Sequence, residues 1–370
     1  MWRRGIILTA VMTYLVVIGC VIWPAQAPAR TASEDAQQSG SAPATTAKAN
    51  WSGLPFRGVV IQLQRVDWID KYEKSIDDIA DLGADTVEFI IDTRQENGKS
   101  ERIYLDMRMT PTPEMLSRLI KKAKSRKLRV IVMPIVLLDN PEGSEWRGTL
   151  KPDDWNEWFH SYREMITHFA WISEENHADV LVVGSELVSS EPHVDQWDRT
   201  IDEVRKLFHG RLTYSSNWDH YREVHFWDRL DMVGMNSYWK FGKEESLPDP
   251  SVDHIVKRWQ EIQSDLLPFV QQTGKPLLFL EIGWFSQKNV AYEPWDYTKT
   301  IEEEPIDLEL QRKLYEGFFK AWYGQPLLGG FSVWEWPADG GGPDDKGYTP
   351  KGKPAEKVLR EWLAKPWKSQ

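Results

Sequence analysis

Eight short, almost continuously apolar runs recur along this chain, with helical periodicity between them. They are GVVIQLQ at 58–64, TVEFIID at 86–92, RVIVMPI at 129–135, DVLVVGSE at 179–186, RLTYSS at 211–216, DMVGMNSY at 231–238, PLLFLEI at 276–282 and GGFSVWEW at 329–336. Apolar runs of this length fit parallel strands covered on both faces. Thr112 and Pro113 predict a helix start, followed by Met115, Leu116, Leu119, Ile120 and Ala123 on one face. Ile255, Trp259, Ile262 and Leu266 repeat at helical spacing, and Gly83 and Gly274 stand where C-terminal caps belong. Strands alternating with helices imply parallel βα units, and eight strands close a barrel. The expectation is an α/β chain folded as a (β/α)8 TIM barrel, one domain over residues 51–370. An open doubly wound sheet would call for GxGxxG after the first strand or a P-loop, and neither occurs.

Residues 1–50 do not fit that pattern. Two arginines in residues 1–4 precede an uncharged apolar stretch at 5–23, which predicts an export signal or membrane anchor within 1–27. Three outcomes stand open: cleavage after Ala25-Gln26-Ala27, lipid attachment at Cys20 in VIGC, or retention of a segment about long enough to span a bilayer. Residues 28–50, rich in Ala, Ser, Thr, Gln and Pro, read as a flexible linker. The chain is therefore expected to be exported and held at a membrane.

A net charge of −11 without a basic cluster argues against nucleic acid as a partner. Cys20 is the only cysteine, so the folded part has neither disulfide nor thiol chemistry, and the eight histidines lack metal-ligand spacing. The DGGGPDD segment at 339–345 is a poor calcium loop. No cofactor or metal is expected. Protein partners and oligomeric state are not indicated.

What the sequence does suggest is carbohydrate. There are twenty tryptophans, and Trp146, Trp218, Trp239, Trp284, Trp334 and Trp336 fall in or near loops and strand ends. Flat aromatic faces stack on the C–H faces of sugars. The alternative for each is packing between helices and sheet. The fourth and seventh apolar runs end on Glu186 and Glu281, at the barrel end where (β/α)8 enzymes place their chemistry. A glutamate closing an apolar strand is costly unless it is used. Two carboxyl groups about 5–5.5 Å apart can cleave a glycosidic bond with retention, one as acid and one as nucleophile.

Several stretches carry a closer likeness. GSEL at 184–187, EIGW at 281–284, GFSVWEW at 330–336, the W-x-G-x-x-x-P pattern at 146–152 and GYTPKGKPAEKVL at 347–359 resemble glycoside hydrolase family 113, a β-mannanase family. This family lies in the large clan of retaining barrel glycosidases. The resemblance covers nearly all of residues 55–364. It implies that Glu186 is the general acid/base, with a raised pKa, and that Glu281 is an ionised nucleophile. It also implies that Tyr238 hydrogen-bonds the nucleophile, that Trp334 is the platform under the sugar, and that Asn217 and Asn236 contact hydroxyls. Trp146, Trp218 and Trp284 complete the expected substrate-binding set. If Trp334 points inward, its neighbour Glu335 should point elsewhere. The clan commonly has Asn before the acid/base, where this chain has Ser185. The function so implied is endo-β-1,4-mannanase. The alternatives are the same mechanism on another β-glycan, or a carbohydrate-binding barrel without catalysis.

Overall fold

The eight runs pair side by side into a closed parallel barrel. The computed structural model of the chain describes residues 52–242, 249–288, 290–296 and 305–367. Its strands are β1 (Phe56–Leu63), β2 (Thr86–Gln95), β3 (Ile103–Tyr104), β4 (Arg129–Leu138), β5 (Val180–Ser185), β6 (Arg211–Ser216), β7 (Val233–Asn236), β8 (Leu277–Ile282) and β9 (Leu328–Val333). All but β3 follow one another around the barrel, and β1 closes it by pairing with both β2 and β9.

Successive side chains on a strand point to opposite faces, so a strand covered on both sides must be apolar throughout. Phe56, Val60, Ile90, Ile131, Met133, Val182, Leu278 and Leu280 fill the barrel. Alternate residues such as Val59, Val87, Phe89, Val132, Leu181 and Phe279 pack outward with helix residues including Ile76, Leu119, Ile166, Trp259 and Leu314. The helices are α1 (Ile69–Leu82), α2 (Pro113–Ser125), α3 (Trp155–Glu175), α4 (Val194–Arg205), α5 (Val252–Thr273), α6 (Leu308–Trp322) and α7 (Pro354–Leu363). As expected, Thr112 caps α2 by accepting the Met115 N–H at 3.3 Å, and Gly83 and Gly274 end α1 and α5 with φ of 97° and 67°. Between β6 and β7 a 3-10 turn (Trp227–Arg229) stands in place of an α-helix.

The edges differ from expectation in an informative way. β2 and β4 run three residues past the predicted ends, and β3 pairs antiparallel with the extension of β2. Apolar continuity stops near Asp92, but backbone pairing does not need apolar side chains. β9 ends at Val333, so residues 334–336 leave the strand.

The predicted N-terminal signal or anchor and the linker lie outside the described residues. Among the described residues, no helix is long and apolar enough to cross a membrane.

Candidate active site

Strict alternation would send Glu281 outward, since Leu278 and Leu280 face the barrel interior. The register shows why it faces the mouth. Between Phe279 and Glu281 β8 advances two residues while β7 advances one, from Met235 to Asn236. Between Phe279 and Ile282 it likewise advances one residue more than β9. One extra residue flips the facing of the residues beyond it. Glu281 is 5% exposed. The Tyr238 hydroxyl donates to Glu281 Oε2 at 2.8 Å, and the Ser237 hydroxyl donates to its backbone carbonyl at 2.8 Å. Burial first, and then the charge of Glu281, hold the Tyr238 phenol protonated.

Glu186 comes directly after β5, which also carries one extra residue, between Val182 and Ser185. Its φ is 54°, the left-handed region that a long side chain rarely adopts. Its N–H donates to the Ser215 carbonyl at 2.8 Å. Its two carboxylate oxygens accept from Asn236 Nδ2 and from the Arg147 guanidinium.

Arg147 lies in a 3-10 turn (Arg147–Thr149) after β4. Burial opposes its charge, but Glu186 and Glu281 together more than offset that and raise its pKa. Glu281 is pushed up to about 8, by burial first and then by the Glu186 carboxylate, with Arg147 and Tyr238 opposing. The resting site thus holds two interacting carboxyl groups whose shared proton belongs to the pair. The sequence expectation put the raised pKa on Glu186. In the structure Glu281 is the deeply buried carboxyl group that burial raises, and the guanidinium stands directly against Glu186.

The aromatic set divides. Trp146 is 39% exposed, and its ring folds over Gly148, where a Cβ would collide with it, which explains the W-x-G spacing. Trp218 is partly buried and stacks on Trp295 at 5.8 Å. Trp334 is partly buried and packs on the apolar interior of the barrel. Contrary to expectation, Trp284 is fully buried against Phe241 and Tyr315, in the layer between sheet and helices, so no sugar can reach it. Trp239 and Trp336 are buried as well. Asn236 spends its amide on Glu186 and on Asn217 Oδ1 at 3.2 Å, and accepts the Trp218 N–H at 3.0 Å. It holds the carboxylate rather than standing open to a hydroxyl, while Asn217 is partly buried beside it. Ser185 is buried, with no hydrogen-bond partner for its hydroxyl among the described residues.

Sequence reasoning missed three groups. Arg147 stands inside the W-x-G-x-x-x-P pattern, but only the flanking tryptophan and glycine carry a recognisable signal. Asp92 ends an apolar run as Glu186 and Glu281 do. It pairs with Arg94 at 2.9 Å, has no hydrogen-bond partner for Oδ1 among the described residues, and is raised to about 6 by burial, with Arg94 opposing. Glu335, expected to point away, accepts from Gln62 at 2.6 Å and adds to the field on Glu281. It lies past the end of β9, where strand alternation no longer governs direction. A cis peptide joins it to Trp334. Among the described residues, no group of three His, Cys, Asp or Glu is arranged to hold a metal ion.

The Glycoside Hydrolase Family 113 model matches residues 61–353. A solved family 113 β-1,4-mannanase complex is 25% identical, with a TM-score of 0.75, covering 84% of this chain and 99% of that one. The family 113 β-mannanase from Alicyclobacillus acidocaldarius, in complex with ManMIm, is also 25% identical, with a TM-score of 0.75 over 85% of this chain and 98% of that one. GH5_18 from Streptomyces cattleya, in complex with GlcNAc, shares the fold at 13% identity and a TM-score of 0.54, over 84% and 80% of the two chains. No curated protein sequence matches the chain.

Proposed function

The chain belongs to glycoside hydrolase family 113 and is a glycosidase, and from that premise we propose that it cleaves β-linked glycans with retention, as an endo-β-1,4-mannanase. The observation that carries the reading is that Glu186, from the end of one strand, pairs with the Arg147 guanidinium, whose charge also acts on Glu281 at the end of another, while Tyr238 donates to Glu281. Binding alone has no use for two coupled carboxyl groups.

In this reading the productive pair has its proton on Glu186 and its charge on Glu281. A glycosidic oxygen arriving at Glu186 offers that proton an acceptor, and the Tyr238 hydroxyl stabilises the anion left on Glu281. Glu281 attacks the anomeric carbon as Glu186 protonates the leaving oxygen, giving a glycosyl ester. Glu186, now ionised, takes a proton from water, which attacks the same carbon and frees Glu281. Trp334 supplies the apolar floor for the sugar, with Trp146 and Trp218 serving sugars further out. Mannan is supported by the β-mannanases among the similar structures.

A 2,4-dinitrophenyl 2-deoxy-2-fluoro-β-mannoside tests the assignment. The fluorine slows both steps, while the good leaving group lets the first proceed. The expected result is a mass increase on the peptide containing Glu281; labelling of another carboxylate contradicts the role.

One observation favours a second reading, the same mechanism on a different β-glycan. Ser185 replaces the amide that commonly serves the substrate 2-hydroxyl, and its own hydroxyl is buried. Cleavage of another β-glycan but not mannan, in a panel of purified polysaccharides, would select it. The proposed setting is outside the cytoplasm at a membrane, supported by the basic, then apolar, then low-complexity order of residues 1–50. Intact-mass measurement of the native protein separates cleavage, lipidation at Cys20 and a retained anchor.

A further inference from the structure

Glu186 holds a left-handed backbone conformation that a long side chain rarely adopts, so something must hold it there. The turn after it is pinned at each end. Leu187 N–H donates to the Tyr214 hydroxyl at 2.9 Å, and the Leu187 carbonyl accepts from the Ser190 hydroxyl at 2.7 Å. Tyr214 is fully buried among Trp197, Phe226 and Trp227. Its single proton goes to Glu191 Oε1 at 2.7 Å. A phenol that donates to a carboxylate presents its lone pairs elsewhere, here to Leu187 N–H.

Glu191 is 1% exposed. Its second oxygen lies 3.2 Å from His220 Nε2. His220 N–H in turn donates at 3.0 Å to the carbonyl of Asn217, on the loop that carries Trp218. Glu191 therefore lies between the turn holding Glu186 and the loop that carries Trp218, and its burial keeps it from reaching a substrate itself.

We propose that Glu191 is a positioning residue for Glu186: it orients the Tyr214 hydroxyl, which locks the Leu187 peptide and so fixes the direction of the Glu186 carboxyl. The proposal rests on Glu186 acting as the acid, and it separates from that reading experimentally. An acid is needed only when the leaving group is poor. A misaimed acid therefore lowers kcat/KM for a poor leaving group and spares it for a good one, whereas general loosening of the fold lowers both.

The test compares 4-methoxyphenyl and 2,4-dinitrophenyl β-mannobioside on the full chain and its Glu191→Leu, Glu191→Gln and Glu186→Gln variants. For Glu191→Leu the expected loss is about 10-fold or more on the methoxyphenyl substrate, with the dinitrophenyl value close to that of the unaltered protein. Glu191→Gln, which keeps an acceptor for Tyr214, restores most of the loss. Equal losses on both substrates in Glu191→Leu overturn the proposal. Absence of the leaving-group signature in Glu186→Gln overturns the role of Glu186 instead. Hydrogen exchange at the Leu187 amide reads the lock with no substrate: faster exchange in Glu191→Leu, with β5 otherwise unchanged, is expected, and unchanged protection overturns the proposal whatever the glycan.

Discussion

Arg147 forms an ion pair with Glu186 from the loop after β4 while also acting on the charge of Glu281. A guanidinium beside carboxyl groups favours their ionised forms. It therefore limits how high in pH the pair can keep the single proton that acid catalysis needs. Arg147→Met should raise the pKa values of the pair and move the alkaline limb of the kcat/KM profile upward by about 1 unit or more. An unmoved or lowered limb would contradict this account of Arg147.

Tyr238 gives Glu281 its hydroxyl hydrogen bond, at 2.8 Å. Hydrogen bonds to charged groups contribute about 1.5–3 kcal/mol. Tyr238→Phe should lower kcat by roughly 10- to 100-fold and move the acid limb upward, because the ionised nucleophile loses a donor. Denaturant unfolding should change little, since the ring remains. An unaltered kcat would remove Tyr238 from the nucleophile's support.

Glu88 lies inside the barrel, fully buried, and among the described residues neither carboxyl oxygen has a hydrogen-bond partner. Its pKa is raised well above the ordinary range, by burial first, with Ser332 opposing and Glu281 adding a further push. A carboxyl group raised on folding costs nothing below its unfolded pKa, near 4.3, and its contribution is lost as pH climbs toward the folded value. Glu281 titrates in the same sense but is common to both proteins in the comparison. Glu88→Gln should therefore gain stability relative to the unaltered chain as pH rises from about 4 to 8, by up to about 1.4 kcal/mol per pH unit. Urea unfolding at several pH values measures it, and a constant difference would mean that Glu88 is ionised in the folded protein.

Lys353 is wholly buried at its side chain and donates to Ser286 Oγ at 2.9 Å, Asp345 Oδ1 at 3.0 Å and the Gly347 carbonyl at 2.9 Å. It ties the loop after β8 to the segment presenting Tyr348, whose ring meets Tyr238 at 6.2 Å. Asp345, in the acidic glycine-rich segment, also accepts the Gly341 and Gly347 N–H groups. Lys353→Met should cost about 3 kcal/mol, the low end for breaking a buried pair. Adding Asp345→Leu should recover part of that, and denaturant unfolding of both variants checks the order.

The barrel was legible because its demands are local and repeated: a strand covered on both sides is apolar along its length, and caps such as Thr112 and Gly274 mark helix ends. The two glutamates were legible because each interrupts such a run. What strand alternation could not supply was direction. Glu281 faces the mouth through an extra residue in β8, and Glu335 reaches Gln62 because β9 has already ended; both depend on register with neighbouring strands. Loop position says nothing about depth, so it does not reveal that the Trp284 ring lies beneath the loop against α6. Arg147 carries no local signal because its meaning lies in Glu186, 39 positions away.

The most direct test of the central claim tracks β-1,4-mannohexaose, incubated with the protein, by proton NMR and mass spectrometry. The expected products are shorter manno-oligosaccharides whose new reducing ends appear first as the β-anomer and then equilibrate. First release of the α-anomer, or an intact hexasaccharide after prolonged incubation, would contradict it.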